Sequence, residues 1–395
     1  MTSGLPDGTN EQDMLKNKLP GKGTTIFTVM SLMAQKHDAI NLSQGFPDFE
    51  GPQELRERVA WHMNHGHNQY APLPGVPELR EQIAAKVLSL YGCEADPNSE
   101  ITVTPGATEA IFCAVTAVVH PGDEVIVFDP AYDTYEPSVT LNGGITRHIT
   151  LKYPDFAIDW QQVRDTINER TRLIILNTPH NPTGAVWSED DIQQLRGVIE
   201  GRDIHIISDE VYEHISFDGK PHLSLLRYPD LAAKTFAISS FGKTYHATGW
   251  RVGYCIAPKA MMEEFLRIHQ FINFSTNAPM SYAIADFLRD CPQHHLELAS
   301  FYQRKRDLFN ELMEPSRFKL TPSSGTYFQL ADYSAISDQP DTEFAARLTQ
   351  QYKVAAIPVS VFYKHPPEQK IVRFCFAKHD DTLREAVTKL INVID

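Results

Sequence analysis

The sequence predicts an α/β protein: a mostly parallel sheet sandwiched by helices, followed by a smaller α+β domain. Three observations point there. Between about residues 100 and 256, short β-branched runs alternate with helical patterns, as parallel strands covered on both faces require. Beyond Ala257, long helical patterns replace the alternation and only shorter strands follow. A chain of 395 residues with 42% apolar and 22% charged residues also supplies an ordinary globular core.

In chain order, residues 1–23 carry Gly, Pro, Asn and charge with little apolar periodicity and read as a mobile tail. Strands are expected at 100–104, 124–129, 172–177, 203–208, 235–239 and 252–257. Helical patterns between them include 108–120 and 188–201. Ser188 with Asp191 forms a capping-type start, and Glu189 and Asp190 suit the positive end of the helix dipole. Residues 260–290 and 294–314 read as helices, with strands at 327–331, 354–358 and 371–376. The expected division is therefore 1–50 as tail and a segment joining the small domain, 51–290 as the large domain, and 291–395 as the small one.

Composition narrows the function. With 36 Lys and Arg against 50 Asp and Glu, the net charge is −14, which argues against nucleic-acid and anionic-membrane partners. The most apolar stretch, 110–119, ends at His120-Pro121 and is far short of a bilayer span. No signal-like apolar segment opens the chain. Cys93, Cys113, Cys255, Cys291 and Cys375 are scattered, which indicates neither a disulfide framework nor a metal site. The expected location is the cytoplasm.

In open α/β sheets, ligands bind outside the carboxyl ends of the strands. The residues following each expected strand are therefore the informative ones. The first leads into Pro105-Gly106-Ala107-Thr108, a strand–Gly–helix turn whose free N–H groups suit a phosphate. Later strands lead into Tyr132, into Asn181, into Asp209 and Tyr212, and into Ser240 and Lys243. An anion site, an aromatic ring, an amide, a carboxylate and an amine thus share one rim. A lysine buried among small residues and near Arg251 has its pKa lowered, so its neutral amine can form a Schiff base. Asp209 ends an apolar run and needs donors or a cation beside it. Arg373 lies in an alternating strand, Ile371 to Phe376, where an unpaired arginine is rare.

These pieces resemble the fold-type I aminotransferases (class I/II) that use pyridoxal 5′-phosphate, most closely the methionine and kynurenine/glutamine branch. The resemblance rests on Asn41-Leu42-Ser43-Gln44-Gly45-Phe46-Pro47, on Tyr70-Ala71-Pro72 with Gly75, and on Thr104 to Ala110. It continues through Asn177 to Gly184, Ser208 to Tyr212, Ser240 to Lys243, and Gly249 to Gly253.

The resemblance implies that Lys243 binds the cofactor covalently and then shuttles the substrate proton, and that Asp209 keeps the ring nitrogen protonated. Tyr212 and Asn181 would donate to the phenolate oxygen, and Tyr132 would stack on the ring. Gly106, Ala107, Thr108, Ser240 and Arg251 would hold the phosphate, with Tyr70 reaching the phosphate of the partner in a homodimer. Arg373, with Gly45 and Asn181, would bind the α-carboxylate. The expected substrates are L-amino acids, with methionine, aromatic or glutamine donors preferred, and 2-oxo acids, in a ping-pong reaction. The same electron sink supports β-elimination of cysteine conjugates as a second reading. A ligand-sensing regulator on this fold is a third, and it expects a DNA-binding module that the acidic composition does not provide.

Overall fold

The computed structural model describes residues 16–394. Its central seven-stranded sheet comprises β2 (Ile101–Thr104), β3 (Glu124–Asp129), β4 (Ile145–Thr150), β5 (Thr171–Asn177), β6 (His205–Asp209), β7 (Thr235–Ser240) and β8 (Gly253–Ile256). The spatial order is β2-β8-β7-β6-β5-β3-β4. Pairs from β4 through β3, β5 and β6 to β7 are parallel, and β8 runs antiparallel to both of its neighbours. The carboxyl ends of β2, β3, β5, β6 and β7 therefore share one edge.

Burial of both faces explains the near-continuous apolar strands. On one side, Val125 and Val127 of β3 pack with Ile175, Ile207 and Ile238 against the helix Ala107–Val118. On the other, Ile126 and Phe128 join Ile174 and Ile206 against the helix Glu189–Ile199. The capping box expected at Ser188 and Asp191 starts that second helix.

A four-stranded sheet of order β12-β13-β10-β9 follows, formed by β9 (Lys319–Leu320), β10 (Phe328–Asp332), β12 (Ile357–Pro358) and β13 (Ile371–Cys375). β1 (Ile40–Asn41) pairs in parallel with β11 (Val354–Ala355), and Met30 and Leu42 share one core with Phe328, Phe344, Phe374 and Leu383. The N-terminal segment thus packs onto C-terminal elements.

Several expectations need correction. The run 354–358 is not one strand: β11 and β12 belong to different sheets. The helical region 260–290 is two helices, Lys259–Ile272 and Ala278–Asp290; Phe274 between them has φ 70°, and Asn277 caps the second by accepting from the Met280 N–H. β4 went unread because it is a polar edge strand with only Ile149 buried. Of the expected tail 1–23, residues 1–15 lie outside the described residues, while Lys22 is tied to Glu136 at 2.5 Å. No helix among the described residues is long and apolar enough to cross a membrane.

Candidate active site

A cavity opens at the shared strand edge. Ala107, Thr108, Tyr132, Asn181, Asp209, Tyr212, Ser240, Lys243 and Arg251 line it, as the sequence led one to expect. Ile111, Asn177 and Val211 complete the wall and had no chemical signal to single them out.

One end is built for an anion. Gly106 has φ +83° and precedes the helix Ala107–Val118, whose first N–H groups have no side-chain cap. A Cβ on Gly106 would lie 2.6 Å from Arg251 Nη2, so only glycine lets the turn and the guanidinium approach. Arg251 Nη2 also lies 3.5 Å from Thr108 Oγ1. A helix N-terminus, the Thr108 and Ser240 hydroxyls and a guanidinium therefore converge.

Asp209, the last residue of β6, lies deeper. Its carboxylate accepts from the Tyr135 hydroxyl at 2.6 Å and from the Val211 N–H at 3.3 Å, and Asn177 Nδ2 donates to its backbone carbonyl at 2.8 Å. Burial pushes the carboxyl up to about 6 against those donors, which leaves it ionised at neutral pH. Tyr135 was not foreseen, although it follows Tyr132 by three residues and stands edge-on to that ring at 5.7 Å. Tyr212 is buried and its phenol is pushed well up by burial, so it remains a donor.

Lys243 sits in the short helix Phe241–Thr244, directly after β7. Its Nζ donates to the Tyr327 hydroxyl at 2.9 Å and to the Gly45 carbonyl at 3.2 Å. Burial first, with the charges of Arg251 and Arg373 after it, brings the amine down to about 8. The sequence argument had named burial and neighbouring cations together; of the two, burial is the larger cause.

Arg373 occupies the middle of β13 and is fully buried. Nη1 donates to Asn181 Oδ1 at 2.7 Å, Nη2 to the Ser43 carbonyl at 3.0 Å, and the guanidinium lies 3.8 Å from the centroid of the Phe328 ring. Its Nε is buried without a partner, and no described carboxylate forms a salt bridge with it. Burial pushes its pKa down to about 10. The structural ion pair that an isolated strand arginine would suggest is absent among the described residues. Because Asn181 Oδ1 is engaged, only its Nδ2 remains to donate.

Gly45 and Arg373 stand behind the wall rather than in it, reaching it through Lys243 and Asn181 respectively. Tyr70 does not join the cavity of its own chain. It is 83% exposed, edge-on to Phe274 at 5.5 Å.

Neither His180 nor His246 lines the cavity. His180 is held at about 4 by burial and pairs through Nδ1 with Thr183 Oγ1 at 2.7 Å, while His246 Nδ1 meets the Tyr302 hydroxyl at 2.9 Å. Glu109, Cys113 and His269 form a close polar group, but they already hydrogen-bond one another through Glu109 Oε1, at 2.9 Å to Cys113 Sγ and 2.8 Å to His269 Nδ1.

Comparison with known proteins shows the family. Residues 37–390 match the family model described as aminotransferase class I and II. A methionine aminotransferase of Escherichia coli K12 is 52% identical over 382 residues, covering 97% of this chain and 99% of that protein. A kynurenine–oxoglutarate transaminase of Dictyostelium discoideum is 34% identical, covering 94% of each. A crystal structure of an E. coli protein with a methionine aminotransferase function superposes with TM-score 0.94 at 52% identity, covering 95% of this chain and 99% of that one. The N-succinyldiaminopimelate aminotransferase of Mycobacterium tuberculosis gives TM-score 0.92 at 36% identity, covering 96% and 100%. These relatives are transaminases, so the β-elimination reading is not favoured. The chain belongs to the class I and II aminotransferases, and it is an aminotransferase of fold type I.

Proposed function

We propose that the chain uses pyridoxal 5′-phosphate, held at Lys243, to move the amino group of methionine or another apolar or aromatic L-amino acid to a 2-oxo acid. The observation that carries this reading is Arg373, a buried guanidinium with a bare Nε and no described carboxylate partner, one hydrogen bond from the cavity wall. Burying such a cation is costly unless an anion arrives, and a substrate α-carboxylate is that anion. The only arginine lining the cavity among the described residues is Arg251, at the phosphate end, which disfavours a dicarboxylic donor. Phe27 and Phe362 flank Arg373 at 5.4 and 5.9 Å, an apolar setting suited to a thioether or aromatic side chain.

The residues fit the cofactor. The Gly106 turn, which a Cβ would fill, with the Ala107 and Thr108 N–H groups, Ser240 and Arg251, suits its phosphate. Asp209 suits the ring nitrogen, Asn181 Nδ2 and the Tyr212 hydroxyl suit the phenolate, and Tyr132 suits the ring face. When bound, the cofactor supplies an electron sink that acidifies the substrate Cα–H. Lys243, titrating near 8, takes that proton and returns it at neutral pH, while Arg373 fixes the carboxylate.

A second copy completes the proposed site. Tyr70, Phe271 and Phe274 are 83%, 86% and 51% exposed, an apolar face suited to a homodimer in which Tyr70 reaches the partner's phosphate. The domain limits at 50/51 and 290/291 and a cytoplasmic location belong to the same reading.

A panel of amino donors against one 2-oxo acid tests it. Methionine should yield its 2-oxo acid faster than aspartate yields its own. Preference for aspartate, or release of thiol and pyruvate without consumption of the acceptor, would overturn it.

A further inference from the structure

Lys243 must release its covalent partner in every catalytic cycle, and its free amine then needs a defined place and orientation. The structure supplies one. Nζ lies 2.9 Å from the Tyr327 hydroxyl and 3.2 Å from the Gly45 carbonyl, and the hydroxyl and carbonyl are themselves 2.5 Å apart. The Tyr327 proton is committed to Gly45, so its oxygen presents a lone pair to the amine. Both partners are therefore acceptors, and two N–H bonds of Lys243 point at them. Lys243 lines the cavity, whereas Tyr327 and Gly45 do not. The third position on the nitrogen, lone pair or proton, therefore opens toward the cavity.

The Tyr327 ring cannot easily turn away. It is fully buried among Tyr212, Tyr302 and Phe328, with centroids at 5.2, 5.5 and 4.9 Å. Gly45 is held as closely, since a Cβ there would lie 2.8 Å from Phe328 Cζ.

We propose that Tyr327 is a positioning residue that, with the Gly45 carbonyl, parks the released Lys243 amine so that its reactive position faces the bound substrate. The inference deepens the proposed function and rests on Lys243 being the reactive amine. Removing the hydroxyl takes an acceptor from the ammonium, so the charged form loses more than the neutral one and the amine should titrate at lower pH.

The test uses Tyr327→Phe, which keeps the ring and removes only the oxygen. In cofactor-free protein, trace labelling of Lys243 with acetic anhydride across pH, quantified by mass spectrometry, reads the amine midpoint directly. The midpoint should move to lower pH, and at a pH above both midpoints, where the amine is neutral in either protein, appearance of the visible band after adding pyridoxal 5′-phosphate should slow about tenfold, the effect of one lost hydrogen bond. Tyr302→Phe is the control: that ring is equally buried, but its hydroxyl serves His246, so the midpoint should stay put. An unchanged midpoint and band rate in Tyr327→Phe, or an equal shift in Tyr302→Phe, overturns the proposal. Failure of the broader functional reading looks different, because wild-type protein would then develop no band while the labelling still reported on Tyr327.

Discussion

Arg373 Nη1 donates to Asn181 Oδ1 at 2.7 Å, tying the last strand of the C-terminal sheet to the loop after β5. One guanidinium thus bridges the two sheets with no carboxylate in ion-pair contact among the described residues, Asp133 attracting it only from farther away. Its burial costs stability, and the proposed binding of a substrate carboxylate would account for its presence.

Arg373→Met should therefore separate stability from activity. A buried cation replaced by an apolar side chain of similar length leaves stability unchanged or raises it by about 1–3 kcal/mol. KM for amino donor and 2-oxo acceptor should rise together, by about a hundredfold, because both present the same carboxylate. Thermal melts and steady-state kinetics on one preparation check both halves.

Asp209→Asn makes a parallel case. The folded carboxyl titrates near 6, whereas an unfolded aspartate titrates near ~3.9, so burying the charge costs about 3 kcal/mol above pH 6. Being a raised acid, its relative stabilisation is complete below the unfolded value and is lost as pH rises through about 6. The amide variant should melt higher than wild type at pH 7 without cofactor, and turn over about a thousandfold more slowly with it.

If Lys243 is the amine that captures the cofactor, it should set the pH dependence of capture. Its amine titrates near 8 and attacks an aldehyde only when neutral. In stopped-flow mixing of cofactor-free protein with pyridoxal 5′-phosphate, the rate should climb with pH below about 8 and level off above it. A rate that falls through that range would contradict the assignment.

Gly106→Ala introduces a methyl at φ +83°, 2.6 Å from Arg251 Nη2. Affinity for pyridoxal 5′-phosphate should drop by about tenfold or more, while affinity for phosphate-free pyridoxal changes little. Equilibrium titrations with the two aldehydes make the comparison.

The chemistry at strand ends was legible because it is local. Thr104 to Thr108, Asn177 to Asn181, Asp209 to Tyr212 and Ser240 to Lys243 each place a polar group immediately after an apolar run, and a parallel sheet gathers such ends onto one edge. Contacts between distant segments were not legible. Tyr327 meets Gly45 across 282 positions, and Asn177 supports Asp209 because β5 and β6 align them in register. Neither relation leaves a trace in spacing. Continuous patterns misled where tertiary structure cut them: 260–290 breaks at Phe274 and Asn277, and 354–358 divides between two sheets. Arg373 shows the limit on both sides. Alternation placed it on a strand, yet only the fold exposes its bare Nε.

Mapping the covalent attachment tests the central claim most directly. Protein incubated with pyridoxal 5′-phosphate, reduced with borohydride and digested should carry the phosphopyridoxyl mass on the peptide containing Lys243. Modification of a different lysine in its place, or no modification, would contradict the account.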